Sequence, residues 1–321
     1  MKYKINFDKI NDRYKLDKEI NKILKKIEEY SKEIKDLPNI SDYLTYFLKT
    51  PSRRKRLIKL LATIKICERL DENAQKVINA LELVNSTIFL HDDIIDHNLS
   101  RKGKPTLNKL IGYEKTILLG NMLFSLGIKE INEIECDKML KKEILSDFLH
   151  SLFIENAGQY SDIHFRNNFK KKSLKDWEKM VLRHSGSYVV SALKAIAKLN
   201  GKDDIAIALE EYEKNCTLAG AAEDALIGFT GNKKPRGDLK NQNFTILVHY
   251  ALDNNKESIK NYSQKILEKM IRSSGAIQKT KKYIEQKVES SLNALKRIPE
   301  SYEKEVLSYL VTQIREEVEN A

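Results

Sequence analysis

Leu90-His91-Asp92-Asp93-Ile94-Ile95-Asp96 closes a run, Ala80-Leu81-Glu82-Leu83-Val84-Asn85-Ser86-Thr87-Ile88-Phe89, that contains no Gly or Pro. An uninterrupted run of this kind predicts a buried helix. On a helix Asp92 and Asp96 stand one turn apart on one face, with Asp93 beside them. Three like charges against an apolar helix repel one another and lose hydration, so something must compensate. A hard divalent cation such as Mg²⁺ would do so, taking one or two carboxylates and filling its shell with water and phosphate oxygens. A solvated acidic helix end is the alternative, and the spacing alone does not exclude it. The next segment favours the metal. Arg101-Lys102-Gly103-Lys104-Pro105-Thr106 is a basic loop just after the carboxylates. An acidic metal site followed by such a loop suits a substrate that carries diphosphate.

Composition sets the fold class. The 321 residues include only 12 Gly and 5 Pro, and most segments are rich in Leu, Ile, Lys, Glu and Ala. That balance predicts an all-α chain, and a hydrophobic fraction of 41% can fill a large core. No apolar run reaches transmembrane length, and the N-terminal Met1–Ile10 lacks an apolar signal core. Cys67, Cys136 and Cys216 are odd in number and form no metal spacing, which points to a reducing cytoplasm. The net charge is +11, yet acidic residues are interspersed nearly everywhere. Even Lys170-Lys171-Lys172 is not accompanied by base-stacking aromatics, so no nucleic-acid surface is expected.

The stretch from Leu81 to Thr106 resembles the first aspartate-rich region of the trans-isoprenyl diphosphate synthases, the polyprenyl synthetase family, whose pattern is H-D-D-x-x-D followed by R-R-G-K-P-T. Only the second Arg differs, as Lys102. The resemblance runs from about Arg53 to Arg315, and no linker or internal repeat divides it, so a single domain over residues 1–321 is expected. It implies an isoprenoid-synthase-type helical bundle around a deep central cavity, with the two motif helices facing each other.

The same resemblance assigns further residues. Arg53 and Arg56, three apart in the basic cluster before a helix, match the family's G-K-R-x-R-P segment and would grip isopentenyl diphosphate, with Ser52 where Gly is usual. Asn85 stands for a His or Gln ligand of the same diphosphate. Gln159 and Asp162 match G-Q-x-x-D near the allylic diphosphate and its metals. His184 and Ser185 replace the Lys and Thr of the K-T-G/A helix, losing a permanent charge but keeping a hydroxyl. In the second aspartate-rich motif, F-Q-x-x-D-D-x-x-D, only Asp224 remains of the carboxylates. Ala225 and Gly228 replace the others, and Ala221 replaces the Gln. Lys234 falls on the family's loop Lys, four before Asp238.

By this resemblance Asp92, Asp93, Asp96 and Asp224 are the catalytic set. Mg²⁺ would be held by Asp92, Asp96, Asp162 and Asp224. Arg53, Arg56, Asn85, Arg101, Lys102, Gln159, His184, Ser185 and Lys234 would bind the two substrates. The implied reaction condenses isopentenyl diphosphate with an allylic diphosphate, in a cytoplasmic homodimer or in a heteromer with an active prenyl synthase. In the family, aromatics at the fourth or fifth position before the first Asp close the elongation tunnel. Here Ile88 and Thr87 stand there, which implies a product of about twenty carbons or longer. Two other classes fit the altered motifs: a non-catalytic or regulatory subunit of a heteromer, and a terpene-synthase-like diphosphate lyase. The lyase needs no second substrate, so retained cations on the isopentenyl side argue against it.

Overall fold

The computed structural model describes residues 5–32, 39–50, 54–68, 71–166, 172–230, 243–253 and 263–319. Among these it is all-α apart from one short hairpin, with fifteen helices. The chain divides into two compact units, Met1–Ser146 and Asp147–Ala321. None of the described helices is long and apolar enough to cross a membrane.

In the first unit α1 (Phe7–Tyr14) and α2 (Leu16–Ser31) are parted by Lys15 in a left-handed conformation, φ 49°. The amphipathic α2, with Ile20, Ile23, Leu24 and Ile27 buried, thus follows a short helix. α3 (Ile40–Leu48) and α4 (Lys55–Ile66) lead to α5 (Glu72–Ile95). Asp71 caps α5, its carboxylate accepting from the Ala74 amide at 2.9 Å. Every residue of α5 from Val77 to Thr87 is buried, so the helix has no solvent face there.

The hairpin β1 (Ser100–Arg101) and β2 (Lys104–Pro105), α6 (Leu107–Ile111), α7 (Tyr113–Asn132) and the start of α8 (Lys138–Phe165) complete the unit. α7 lies close along α5 because it carries Gly where the two meet. A Cβ on Gly127 would come within 2.9 Å of Val84, and one on Gly120 within 2.5 Å of the His91 ring. Buried polar groups stitch the same contact. Thr87 donates to the Gly120 carbonyl at 2.9 Å, and Asn79 donates to the buried Glu130 carboxylate at 2.9 Å.

The second unit holds the rest of α8, then α9 (Leu174–Ser185), α10 (Ser187–Leu199), α11 (Asp203–Thr230), α12 (Ile246–Asp253), α13 (Gln264–Ser273), α14 (Ala276–Leu295) and α15 (Tyr302–Glu319). α11 packs against α9, α10, α12, α14 and α15. Its buried Tyr212 donates to the Leu307 carbonyl of α15 at 2.7 Å, while Ser291 of α14 donates to the Tyr212 carbonyl at 3.2 Å. Ser173 and Asp176 form a reciprocal capping box that starts α9. α9 and α10 are separated by a break at Gly186 (φ −146°, ψ −14°).

Candidate active site

The first motif occupies the C-terminal end of α5. Asp92 and Asp93 lie in its last turn and Asp96 is the C-cap. This is the end of a helix where unsatisfied carbonyls carry partial negative charge, so three carboxylates there are in an unfavourable field. Burial, and then repulsion from Asp96, push the Asp92 carboxyl up to about 7, against the opposing pull of Arg101 and Arg56. Next to it, burial holds the His91 imidazole below its usual range, although a ring N–H donates to the Ile117 carbonyl of α7.

The basic loop is a tight hairpin. Ser100 pairs with Pro105 and Arg101 with Lys104. The two-residue turn between them has Lys102 at φ 50° and Gly103 at φ 80°, the handedness that matches strand twist. The turn folds Arg101 back onto α5, where Nε and Nη2 donate to both oxygens of the buried Asp93 at 2.8–3.1 Å. Asp93, expected among the catalytic carboxylates, thus holds the hairpin in place. Lys102 stands exposed at the tip.

Other cations are set along α5 one turn at a time. Arg56 donates to the buried Asn85 at 2.5 Å, so Asn85 acts on this arginine. Arg54 reaches the buried Glu82 carboxylate at 3.2 Å. Burial raises the Glu82 carboxyl, partly offset by Arg54 and Arg56. Phe89 carries two guanidiniums over its ring, Arg56 at 5.2 Å and Arg101 at 5.0 Å from the centroid. Sequence reading passed over Arg54, Glu82 and Phe89. The signal was available in part: a Glu inside an apolar run requires a cation, and Phe89 is one turn from both Asn85 and Asp93.

Thr87, expected as an elongation-tunnel position, is a buried residue of α5 beside α7. It is 3% exposed and wedged between α5 and α7 with its hydroxyl satisfied, while Ile88 is half-buried.

The second unit carries the residues expected on the allylic side, some of them around the α9–α10 break. A Cβ on Gly158 of α8 would collide with the His184 amide and come within 2.7 Å of the Arg183 carbonyl carbon. One on Gly186 would come within 2.6 Å of Thr217 Oγ1 on α11. The two glycines thus permit close packing of α8 and α11 around the break. The half-buried Gln159 follows Gly158 directly. Asp162, expected as a metal ligand, lies 3.3 Å from Arg166 in an ion pair on α8 itself. His184 Nδ1 and Ser185 Oγ are hydrogen-bonded at 2.9 Å. On α11 Asp224 is exposed, Ala225 and Gly228 are buried and Ala221 is half-buried.

Arg53 and Lys234 lie outside the described residues, as do Ser52, Lys170, Lys171 and Asp238. Among the described residues no three His, Cys, Asp or Glu side chains come together as a metal-holding group.

The family model for polyprenyl synthetases matches residues 37–286. A prenyl transferase of Cyanidium caldarium is 23% identical over 84% of this chain and 87% of its own. A short chain isoprenyl diphosphate synthase of Methanocaldococcus jannaschii is 26% identical over 72% of each. Among solved structures, a geranylgeranyl pyrophosphate synthetase from the archaeon Geoglobus acetivorans superposes with a TM-score of 0.79 at 22% identity, covering 96% of this chain and 99% of that one. The likeness in fold and the match across most of the sequence agree with the motifs on α5, and the chain belongs to the polyprenyl synthetase family.

Proposed function

We propose that the chain is a Mg²⁺-dependent trans-prenyltransferase that joins isopentenyl diphosphate to an allylic diphosphate, giving a linear product of about twenty carbons or longer. The observation that carries this reading is the end of α5. Arg101 is folded onto Asp93, while Asp92 and Asp96 share a face one turn apart beside it.

That donor set suits Mg²⁺. The ion takes one or two protein carboxylates and shares the rest of its shell with water and phosphate. Asp92 and Asp96 would hold it, with Asp224 and Asp162 as the allylic-side carboxylates. When bound, the ion neutralises charge on the departing diphosphate. The chain's own residues do the rest. Arg56, Arg101 and Lys102, with Arg53 and Lys234, hold diphosphate oxygens, and Asp93 and Asn85 aim Arg101 and Arg56. Gln159, His184 and Ser185 line the allylic side.

We further infer an oligomer, most simply a homodimer. α8 exposes Leu149, Phe153, Tyr160 and Ile163, at 42%, 69%, 73% and 44%. With Asn156 these recur every three or four residues, a stripe suited to another helix. A cytoplasmic location accords with three free cysteines.

The second reading, a regulatory subunit of a heteromer, is favoured by Ala225 and Gly228 on α11. Incubating the purified chain with Mg²⁺, isopentenyl diphosphate and each allylic primer decides between them. Chromatography of the product reads its length, and light scattering reads the mass. Prenyl transfer by the chain alone supports the enzyme. No transfer alone, with transfer restored by an active partner, supports the subunit.

A further inference from the structure

From Gln264 to Lys282 the chain carries six basic residues, Lys265, Lys269, Arg272, Lys279, Lys281 and Lys282, against one acid, Glu268. This stretch is α13, the turn at Ser274 and Gly275, and the first two turns of α14. Leu267 and Ile271 are the buried side of α13. On its outer side Lys265, Lys269 and Arg272 recur at i, i+4 and i+7, one exposed arc with Ile266 at its edge. Ile266 is 43% exposed. The single acid is engaged along its own helix, since Glu268 accepts from Gln264 at 2.9 Å.

Elsewhere in the second unit several lysines are matched by carboxylates. Lys287 lies 2.9 Å from Glu178, Lys194 3.0 Å from Glu210 and Lys198 3.0 Å from Asp147. Among the described residues Lys265, Lys269, Lys281 and Lys282 are exposed and make no ion pair. Like charges gathered on one face repel one another, so folding alone gives no reason for the arrangement. A surface that is anionic outside and apolar beneath would take both the cations and the isoleucine.

The place of this face in the second unit follows from two contacts. Ser291 of α14 donates to Tyr212 of α11, and Arg272 at the end of α13 lies over the Phe229 ring at 4.9 Å. α14 therefore runs antiparallel to α11. The turn between α13 and α14 lies at the C-terminal end of α11, the end that carries Asp224.

We propose that the exposed face of α13 and the first turns of α14 dock on an anionic lipid bilayer, with the cations among the headgroups and Ile266 entering the interface. The attraction adds over the cations and is screened by salt, while Ile266 supplies a smaller apolar part. Single-stranded nucleic acid fits the face less well, because the stretch holds no aromatic residue on which a base could stack. The purpose of docking rests on the transferase reading. A long prenyl chain dissolves in a bilayer and not in water, so docking brings the Asp224 end of the unit to the phase that accepts the product.

The test floats full-length protein with vesicles of phosphatidylcholine alone and of phosphatidylcholine mixed equally with phosphatidylglycerol. Wild type is expected to bind the anionic vesicles at least about a hundredfold more tightly than the neutral ones. It should leave them in about 1 M salt, where screening extends over only about 3 Å. This measurement needs no variant. Changing Lys265, Lys269, Lys281 and Lys282 together to Gln should lower partitioning about a hundredfold, each lysine contributing severalfold. Ile266→Ser should lower it severalfold. All five side chains are exposed, so both variants should melt with wild type.

Equal partitioning of the lysine variant and wild type overturns the proposal, as does failure of wild type to bind the anionic vesicles. Tighter binding to single-stranded RNA than to these vesicles, through the same lysines, also overturns it and makes the face a nucleic-acid surface. Vesicle binding without prenyl transfer would defeat the transferase reading and leave the docking face standing. Prenyl transfer by a chain that ignores anionic vesicles would do the reverse.

Discussion

The C-terminal end of α5 and the corresponding stretch of α11 present opposite solutions to the same helical surface. On α5 three aspartates are retained, with Arg101 on Asp93, Arg56 on Asn85 and, further up the helix, Arg54 on Glu82. On α11 Asp224 is exposed while Ala225, 8% exposed, and Gly228 are buried. The difference separates chemistry from folding. α11 packs closely with small residues where relatives of this family carry carboxylates, so the fold has no need of acid there. α5 keeps its acids at an unfavourable helix end, at an electrostatic cost that packing does not explain.

If that contrast is right, the largest loss comes from α5. Asp92→Ala should lower prenyl transfer by about a thousandfold or more, because the charge that neutralises the leaving group loses its main anchor. The circular dichroism spectrum should stay helical, since the variant removes repulsion from the helix end. Full turnover by the variant, or by wild type in excess chelator, would end the metal assignment.

Arg54→Met breaks the buried partner of the same helix rather than the chemistry. It leaves the Glu82 carboxylate, 1% exposed, without the cation 3.2 Å away. Loss of one partner from a buried pair costs about 3 kcal/mol. The folded Glu82 carboxyl is already raised, so its protonated form is favoured by folding, and stability falls as pH rises through the folded value. Removing Arg54 moves that value higher still. Denaturation should therefore show a deficit of about 3 kcal/mol near pH 8 that shrinks by about pH 5. A deficit independent of pH would mean that packing, not charge, is what Arg54 supplies.

In the second unit the equivalent weak point is a close approach of backbones. Gly158→Ala puts a methyl group against the His184 amide and the Arg183 carbonyl. Backbone cannot step aside as a side chain can, so a loss of about 2 kcal/mol is expected. A rise in the KM for the allylic substrate should accompany it, because His184 and Gln159 shift. Thermal melting and steady-state kinetics read the two effects. An unchanged KM with a lowered melting temperature would separate the break from the allylic site.

How much of this was legible in the sequence follows from range. The end of α5 was legible because its signal is local: an apolar run, carboxylates at helical spacing and an adjacent basic loop. The family pattern then supplied Gln159, His184 and Asp224. The close packing of Thr217 on Gly186 at the α9–α10 break was not legible, because it comes from another helix. The hydrogen bond from Thr87 to the Gly120 carbonyl of α7 was likewise not legible, because its acceptor lies on another helix. The partnership of Phe89 with Arg56 and Arg101 depends on a two-residue turn that brings the hairpin back. Asp162 shows the same limit within a single helix, since its spacing to Arg166 was readable but its engagement was not.

The contrast between the two helices is sharpened most by rebuilding the poorer one. Ala225→Asp, Gly228→Asp and His184→Lys together return two carboxylates and a fixed cation to the second unit. Each addition places charge where the wild type has buried or half-buried small or neutral groups, so the triple variant should be less stable without metal. Mg²⁺ should then raise its melting temperature more than that of wild type, because an ion bound only by the folded state stabilises by mass action. Turnover at saturating Mg²⁺ should rise about tenfold, less than the hundredfold that one preorganised partner can contribute, since the rebuilt groups enter a site packed for alanine and glycine. Radiolabel transfer and thermal melting on both proteins measure the two effects. Wild type turning over at about 10 s⁻¹, an ordinary enzyme rate, would show that the single Asp224 suffices. Metal-dependent stabilisation without a gain in rate would show that the carboxylates bind the ion but in an unproductive place. It would also move the cause of slow turnover to the allylic residues His184 and Gln159.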